Sequence, residues 1–337
     1  MNFLDLLSSL LGKPKPSSTT NAPAQPVVPP DNTTELARIV TSRLLLVIYN
    51  PVVDPGSGAK LSQFKHWYDP DHLANAFIQD ILDVSGGMAR FPVVHRTELN
   101  EFPALTDGYR YDAPTYLSVL DKTQPPHQPE NADYQAILTG LNVLPRIASR
   151  EIDEVWLFGF PYAGFYESTM CGLGAFWCNS MPQTWSSSCQ RRFVVMGFSY
   201  ERDVGMMLHS FGHRVESIMT QTFSKTQGAA NLFRRFTLYD KEAPGQSAVG
   251  TVHFTPNSEQ EYDYNNPRKV LSNCYDWYNF PAFKEDLRDV NADEWGNGDM
   301  HILHKWWLKH LPKVAGRTSG IANNWWQYCM DPNSVNL

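Results

Sequence analysis

The sequence predicts an α/β protein: a Rossmann-like, largely parallel sheet flanked by helices, followed by an irregular Trp-rich extension. Three observations support this fold class. Short apolar runs of strand length alternate along the chain with longer segments of helical periodicity. The predicted strands are apolar on both faces, as expected when helices cover both sides of a sheet, and residues 91–99 alternate like a strand. Beyond residue 238 the alternation fades, so the α/β domain is expected to span residues 35–238.

Seven elements are predicted in this domain, in the order strand, helix, strand, helix, strand, strand, helix. The first helix has Asp69 and Pro70 as start signals and a Gly-Gly pair as its stop, and Pro145 is expected to interrupt the second helix. The last helix is expected to begin at Arg202. In chain order the predicted ranges are 43–51, 69–87, 91–99, 134–150, 154–160, 192–198 and 202–222.

The chain begins with a segment that is distinct from this domain. Residues 1–12 place apolar side chains at helical spacing and are interpreted as an amphipathic docking helix for a protein partner, a shell or a membrane surface. Residues 13–34 are rich in Pro, Ser and Thr, so a disordered linker is expected. A degenerate secretory leader is the alternative for the first segment, although Asp5 interrupts its apolar run.

Residues 239–337 form the Trp-rich extension, which is expected to pack on the α/β domain rather than fold independently. Periodicity is weak there, and Asn, Asp, Tyr and Trp are frequent. One helix is predicted at about residues 301–311, and its histidines and tryptophans are interpreted as structural anchors. The tryptophans of the extension are Trp277, Trp295, Trp306, Trp307, Trp325 and Trp326.

Charge and motif content argue against several classes of function. A net charge of −7 without a basic stripe argues against a nucleic-acid partner. No apolar run approaches the roughly 18–20 residues of a membrane-spanning helix, so no transmembrane segment is expected. The phosphate-binding patterns GxGxxG and GxxxxGKS/T do not occur, so no nucleotide cofactor is predicted.

The five cysteines include no CxxC pair, which argues against a thiolate zinc site. Cys178 and Cys189 flank a Ser-rich loop. Either they form a local disulfide, which an oxidising compartment would permit, or they are buried thiols like the others.

Side chains that follow the predicted strands are candidates for a binding site, because ligands of open α/β sheets bind at the carboxyl ends of the strands. Glu98, Glu167 and Glu201 follow three different strands. Two have structural alternatives: Glu201 as an acid in the first turn of a helix, and Glu98 in an ion pair with an arginine, Arg96 or Arg202. Predicted substrate-binding residues at this edge are Tyr49, Asn50, Glu98, Tyr166 and Arg202.

The helix predicted at 202–222 carries a polar stripe of Arg202, His209, His213 and Glu216. His209 and His213, one turn apart, have the spacing with which one helix face holds a divalent metal. A solvated face, or a hydrogen bond between His213 and Glu216 in a buried seam, is the alternative. Two glycines border the stripe and indicate the close approach of another backbone or of a ligand.

His253 is predicted to lie on a short strand, just before a Pro-Asn turn. If it meets the helix, His209, His213 and His253 would supply three nitrogens to one divalent ion, zinc or manganese, and leave a position open for water. The alternative is a core histidine that is satisfied by its neighbours.

Several phrases of the sequence resemble those of a known family. They are MGFSYERDVGMMLHSFGHRVESIM, VHFTPN, NPRKVLSNCYDWYNFP, HKWWLKHLPKVAGRT and NNWWQY. They are similar to a family of uncharacterised, mostly secreted bacterial proteins, and the similarity covers nearly everything after residue 40. The family has no assigned reaction, so the resemblance implies an extracellular location but no residue roles. A cytoplasmic location stays open, because the first residues do not form a clear signal peptide.

These candidates lead to the hypothesis of a hydrolase or lyase that acts on an extracellular polymer, glycan or peptide. Paired carboxylates suit this chemistry, because one can be held protonated while the other stays ionised. The catalytic residues would be Glu167, Glu201, His213, Glu216 and His253.

The alternative is a non-catalytic binding or structural module that docks to a larger assembly through its N-terminal helix. The arrangement of the carboxylates and histidines separates the two hypotheses. One cleft onto which they all open would favour the enzyme, whereas a closed cluster whose members pair with one another would favour the module.

Overall fold

The computed structural model describes residues 28–31 and 34–337. The predicted docking helix at residues 1–12 and most of the predicted linker lie outside the described residues. Within the linker, the backbone nitrogen of Asp31 donates to the carbonyl of Arg317 at 2.8 Å, and the Asp31 carboxylate accepts from the backbone of Gly320 at 2.7 Å. Asp31 therefore contacts the C-terminal segment.

A five-stranded sheet forms the centre of the fold. Its strands are β2 (Leu44–Tyr49), β6 (Val93–Leu99), β7 (Glu154–Gly159), β8 (Ser168–Cys171) and β9 (Phe193–Ser199). Their spatial order is β6-β2-β7-β9-β8, and all neighbours are parallel except β8, which pairs antiparallel with β9. All four predicted strands are present, which confirms a mixed α/β protein with a largely parallel sheet. The edge strand β8 was not predicted.

The remaining strands are short and pair outside this sheet. They are β1 (Val40–Thr41), β3 (Val52–Asp54), β4 (Ala59–Lys60), β5 (Ala89–Arg90), β10 (Val270–Ser272), β11 (Arg288–Val290), β12 (Lys313–Thr318) and β13 (Ile321–Asn324).

Helices and helical turns make up most of the other regular structure. The α-helices are α1 (Leu61–Phe64), α2 (Pro70–Val84), α3 (Ala113–Leu120), α4 (Tyr134–Gly140), α5 (Val143–Ala148), α6 (Val204–Thr222), α7 (Leu232–Phe236), α8 (Met300–Lys309) and α9 (Trp326–Met330). Short 3₁₀ turns lie at Thr184–Ser188, Gly228–Ala230, Cys274–Asn279, Ala292–Trp295 and Pro332–Ser334. None of the helices in residues 28–31 and 34–337 is long and apolar enough to cross a membrane.

The core lies between the sheet and the helices that cover it. Every residue of β2 and β7 is buried, as their continuous apolar sequences predict. Phe77 of α2 joins the layers, because its ring lies 5.1 Å from Trp156 of β7, 5.6 Å from Phe198 of β9 and 5.9 Å from Phe211 of α6. Helices α2 and α6 therefore share one face of the sheet.

The second predicted helix is broken, but not at Pro145. The break separates α4 from α5 at Asn142, whose φ of 52° lies in the left-handed region. Pro145 falls in the first turn of α5, where a missing backbone N–H removes no helical hydrogen bond. The sequence therefore identified the interruption and assigned it to the wrong residue.

Helix α6 is the central helix of the molecule. It begins at Val204 with the Asp203 carboxylate as its N-terminal cap, so Arg202 precedes the helix and does not belong to its polar stripe. His209, His213 and Glu216 are buried, which rules out the predicted alternative of a solvated face.

Two glycines allow other segments to approach α6. A Cβ atom at Gly205 would lie 2.9 Å from the backbone nitrogen of His301 in α8, and a Cβ at Gly212 would lie 2.6 Å from a methyl group of Val252. The predicted close approach is therefore made by a second helix at one glycine and by a loop side chain at the other. These contacts bring Val252 and the start of α8 against the part of α6 that carries His209 and His213.

The tryptophans of the C-terminal segment are mostly buried in the same core. Trp307 donates its indole N–H to the carbonyl of Gly250 at 3.0 Å, and Trp295 donates to the carbonyl of Tyr264 at 2.9 Å. Trp325 and Trp326 are at most 1% exposed. These contacts hold loops that have little regular structure of their own.

All five cysteines are buried free thiols. The proposed disulfide between Cys178 and Cys189 is not present. The Cys178 sulfur lies 3.6 Å from the hydroxyl of Ser168, and the Cys189 sulfur contacts the carbonyl of Arg191 at 3.4 Å.

Candidate metal centre beside an acidic cavity

Histidines from three segments meet at the buried side of α6. The helix itself supplies His209 and His213, a loop supplies His253, and α8 supplies His304. One ring nitrogen from each of His209, His213 and His253 lies within 4.8 Å of the others. The predicted group of three nitrogens is therefore present and can hold a metal ion. His253 lies in a bend, not on the predicted short strand.

The two helix histidines point their Nε2 atoms at each other, 3.1 Å apart. Two nitrogen ligands of a tetrahedral zinc ion lie about 3.3 Å apart, since each zinc–nitrogen bond is about 2.0–2.1 Å long. The one-turn spacing of His209 and His213 therefore places two nitrogens close to the separation that a shared ion requires.

A chain of hydrogen bonds assigns the protons of His209. The carbonyl of Met300 can only accept, so Nδ1 of His304 donates to it at 2.6 Å and leaves Nε2 of His304 as an acceptor. That Nε2 lies 3.1 Å from Nδ1 of His209, which therefore donates. The remaining nitrogen of His209, its Nε2, keeps a lone pair directed at His213.

A carboxylate orients the second helix histidine. Glu216 accepts from Nδ1 of His213 at 3.0 Å, and its other oxygen accepts from the backbone N–H of Val252 at 2.8 Å. The hydrogen bond between His213 and Glu216 was predicted only as a structural alternative to metal binding. It is equally the arrangement that orients metal-binding histidines, since their second nitrogen usually donates to a carboxylate or a carbonyl.

His253 has a partner for each of its ring nitrogens. The hydroxyl of Tyr262 lies 3.0 Å from Nε2, and a carboxylate oxygen of Glu261 lies 3.5 Å from Nδ1. Whichever nitrogen faces an ion, the other keeps a polar neighbour. Tyr262 is 54% exposed, and its ring packs 4.4 Å from the ring of His253, so this tyrosine lies between the cluster and solvent.

Burial makes most of these histidines neutral. It lowers the pKa of His209 to about 2, with a further contribution from the neighbouring histidines, and lowers the pKa of His304 to about 4. Burial also lowers the pKa of His253. For His213 burial acts in the same direction, but the hydrogen bond and charge of Glu216 outweigh it and raise the pKa. Burial therefore favours the neutral, metal-binding form of His209 and His253, whereas Glu216 favours the protonated form of His213.

We expect a His304→Leu variant to bind zinc roughly 10–100-fold more weakly, because nothing then orients Nδ1 of His209. The measurement is a zinc titration against a chromophoric chelator. The matched control is His301→Leu on the same helix, where the native side chain contacts Asp80 and stays outside the cluster. Equal zinc affinities of the two variants would contradict the role given to His304.

A cavity of about 420 Å³ lies at the carboxyl ends of the strands, next to the start of α6. Glu167, Glu201 and Arg202 line it, whereas the histidines do not. Glu167 connects the two features, because its charge contributes to the raised pKa of both His213 and Tyr262. The candidate carboxylates thus open into one cavity, and the histidines form a buried, mutually bonded cluster beside it.

Glu98 does not reach this cavity. Its carboxylate is held by Lys60 at 2.6 Å and by Arg96 at 3.1 Å, which matches the ion-pair alternative for this residue. Glu98 also accepts from the side chain of Asn50 at 3.3 Å. The strand order explains the separation, since β6 lies three strand spacings from β9, or about 14 Å.

The two tyrosines predicted to bind substrate are also engaged elsewhere. Tyr49 is 2% exposed, and its ring packs 5.7 Å from that of Phe165. Tyr166 stacks on Tyr134 at 5.6 Å. Of the predicted substrate-binding set, the structure brings only Arg202 to the cavity.

Two members of the cluster were not predicted from the sequence. His304 was interpreted as part of a structural anchor, and Tyr262 was not singled out. A signal for His304 exists, because it shares the buried face of α8 with Trp307 and Leu308, and a buried histidine needs a polar partner. No local pattern identifies Tyr262, whose position depends on a loop with a positive φ of 61°.

Comparisons with known protein families, with curated proteins and with solved structures found no match for this chain. The resemblance to secreted bacterial proteins therefore stays an expectation. The chemistry of the site has to be inferred from its own geometry.

Proposed function

We propose that this chain is a metal-dependent hydrolase whose divalent ion is held by His209, His213 and His253. The observation that carries the proposal is the pair of Nε2 atoms 3.1 Å apart, each on a ring whose other nitrogen is oriented by a protein group. Zinc is favoured over manganese because all three donors are imidazoles.

The number of donors favours a catalytic site over a structural one. Structural zinc sites surround the ion with four protein ligands, whereas catalytic sites have three and keep one position for water or substrate. Within residues 28–31 and 34–337, three histidine donors meet at this site. An ion at these nitrogens would supply a Lewis acid that polarises a carbonyl and activates water.

The carboxylates then have different roles. Glu167 lines the cavity and lies close enough to His213 to raise its pKa, so it is the group expected to accept a proton from the attacking water. Glu201 lines the same cavity and is available to return a proton to the leaving group. Both oxygens of Glu216 are bonded to its neighbours, so its role is to orient His213.

A peptide-like substrate fits this centre better than a glycan. A Lewis acid acts on a carbonyl group, whereas glycoside hydrolysis usually needs only two carboxyl groups. The cavity lies at the carboxyl ends of the strands, where open α/β sheets bind their ligands. The family resemblance would place the substrate outside the cell.

A non-catalytic module is the second candidate, and one observation favours it. His209 and His213 are each 4% exposed and bonded to one another, and no histidine of the cluster lines the cavity. The cluster would then be a buried hydrogen-bond network or a structural metal site.

Replacement of Glu167 by glutamine tests the enzyme. We expect zinc-loaded protein to hydrolyse members of a panel of chromogenic amides, and Glu167→Gln to lower kcat by a factor of roughly 10²–10⁴, the usual contribution of a general base. Zinc content should stay unchanged, because Glu167 is not among the clustered donors.

The matched control is Glu151→Gln. Glu151 pairs with Arg146 and lies just before β7, at the amino ends of the strands and therefore away from the cavity. Its kcat should equal that of the wild type. Absence of hydrolysis by correctly folded, zinc-loaded wild-type protein would favour the non-catalytic module.

A further inference from the structure

We infer that the cavity beside the histidine cluster binds the protonated amino terminus of a peptide. This inference deepens the proposed hydrolase by naming the end of the substrate that occupies the cavity. It rests on the proposed function for the cleavage step, but not for binding, which can be measured without any reaction.

The charge of the cavity wall favours a cation. Glu167, Glu201 and Asp203 contribute three carboxylates, and Arg202 is the single cation among the lining residues. Arg202 is turned largely outward, since its side chain is 57% exposed, and its Nε lies 3.7 Å from Glu201. An anionic ligand would meet this excess of negative charge, whereas an ammonium group would be attracted.

The hydrogen-bonding groups of the wall have the same preference. The hydroxyl of Ser210 donates its proton to the carbonyl of Met206, so its oxygen can only accept hydrogen bonds from a ligand. The carboxylates are acceptors as well. Ser210 and the carboxylates therefore favour a ligand that supplies donors, and an ammonium group supplies three.

The rest of the wall suits the carbon skeleton of an amino-acid side chain. Phe160, Phe165, Met206 and Met207 line the cavity with apolar and aromatic surface. Its volume of about 420 Å³ falls within the range of small-molecule sites, roughly 300–1,000 Å³. The cavity therefore combines an apolar surface for a side chain with an acidic surface for its amine.

Glu167 determines the direction of the substrate. It belongs to the cavity wall and accepts from the side chain of Asn179 at 2.6 Å, and the backbone N–H of Asn179 donates to Ser217, whose hydroxyl donates to the carbonyl of His213. Glu167 therefore marks the part of the wall that adjoins the histidine-bearing part of α6. A peptide bound by its amino terminus would place there the first amide carbonyl, the group on which a Lewis acid acts.

Calorimetric titration of the full chain with leucinamide, N-acetylleucinamide and glucosamine tests the inference. At pH 7 the amine of leucinamide is largely protonated, since α-amino groups have a pKa of about 7.7–8.0. We expect leucinamide to bind at least about tenfold more tightly than its acetylated form, which keeps the side chain and loses the charge. In Glu201→Gln this preference should shrink severalfold, whereas Glu151→Gln, remote from the cavity, should keep it.

Equal binding of leucinamide and N-acetylleucinamide would overturn the inference, and so would tighter binding of glucosamine than of leucinamide. The titration is repeated on His213→Gln, which should bind metal poorly and still show the preference for the amine. Retained binding without hydrolysis would count against the proposed enzyme alone. Hydrolysis of amides without any preference for a free amine would count against the present inference alone.

Discussion

Protein purified without a chelator or a His tag is expected to contain about one equivalent of a divalent metal, most readily zinc. The double variant His213→Gln, His253→Gln should contain less than about a tenth of that amount, because two of the three nitrogens are removed. The measurement is elemental mass spectrometry on dialysed samples.

The control for this experiment is His95→Gln, which removes an exposed histidine of β6 that pairs with Glu151. It should keep the wild-type metal content. Circular dichroism checks that the double variant is folded, and His253→Gln alone provides a milder change if it is not. A folded wild-type protein that stays metal-free after dialysis against zinc would exclude the proposed centre.

The metal-free protein is expected to lose several kcal/mol of its free energy of unfolding between pH 7 and pH 5. Burial lowers the folded-state pKa of His209 to about 2, of His304 to about 4 and of His310 to about 3, against 6.5 for an ordinary histidine. Below pH 6.5 the unfolded chain binds at least three protons that the folded chain does not, which costs about 2 kcal/mol for each histidine by pH 5. His253, whose pKa burial also lowers, acts in the same direction. The whole free energy of unfolding of a typical domain is only about 5–15 kcal/mol.

His213 does not reverse this loss of stability at lower pH. Its raised pKa stabilises the folded state fully below the unfolded pKa and loses this effect only as the pH rises through the folded pKa. It therefore does not change the slope between pH 6 and pH 5.

Denaturant titrations at a series of pH values give the slope of the free energy of unfolding against pH, which should correspond to about three protons or more between pH 6 and pH 5. The variant His310→Gln should lower the slope by one proton whatever its stability at pH 7, because His310 is buried away from the cluster and bonded to the carbonyl of Trp306. His95→Gln again provides the exposed control. A slope near zero between pH 6 and pH 5 would show that the buried histidines are protonated in the folded state.

Local sequence patterns predicted much of the sheet and part of the site. The apolar runs of β2, β7 and β9 are strands that are buried along nearly their whole length, whereas the edge strand β6 carries polar residues and is exposed or half-buried throughout. The spacing of His209 and His213 placed two nitrogens on one face of α6, since residues four apart lie one turn above each other. These features depend on backbone periodicity, which can be counted along the chain.

The neighbours of that helix depend on long-range packing. His304 reaches His209 across 95 positions because α8 crosses α6 at Gly205, and His253 reaches the same face because its loop approaches at Gly212. The glycines indicated that something would approach, but not which segment. The strand order likewise decided that Glu98 lies apart from Glu201, although both follow strands at the same edge.

The sequence by itself determined the α/β class, the four parallel strands and the two histidines of α6, because each follows from periodicity over a few residues. Only the tertiary structure decided which distant groups complete the site: His253, His304 and the orienting bond from Val252 to Glu216. The physical reason is that these contacts join segments far apart in the chain. Their meeting is set by the packing of whole helices and loops on the sheet, not by any pattern within one segment.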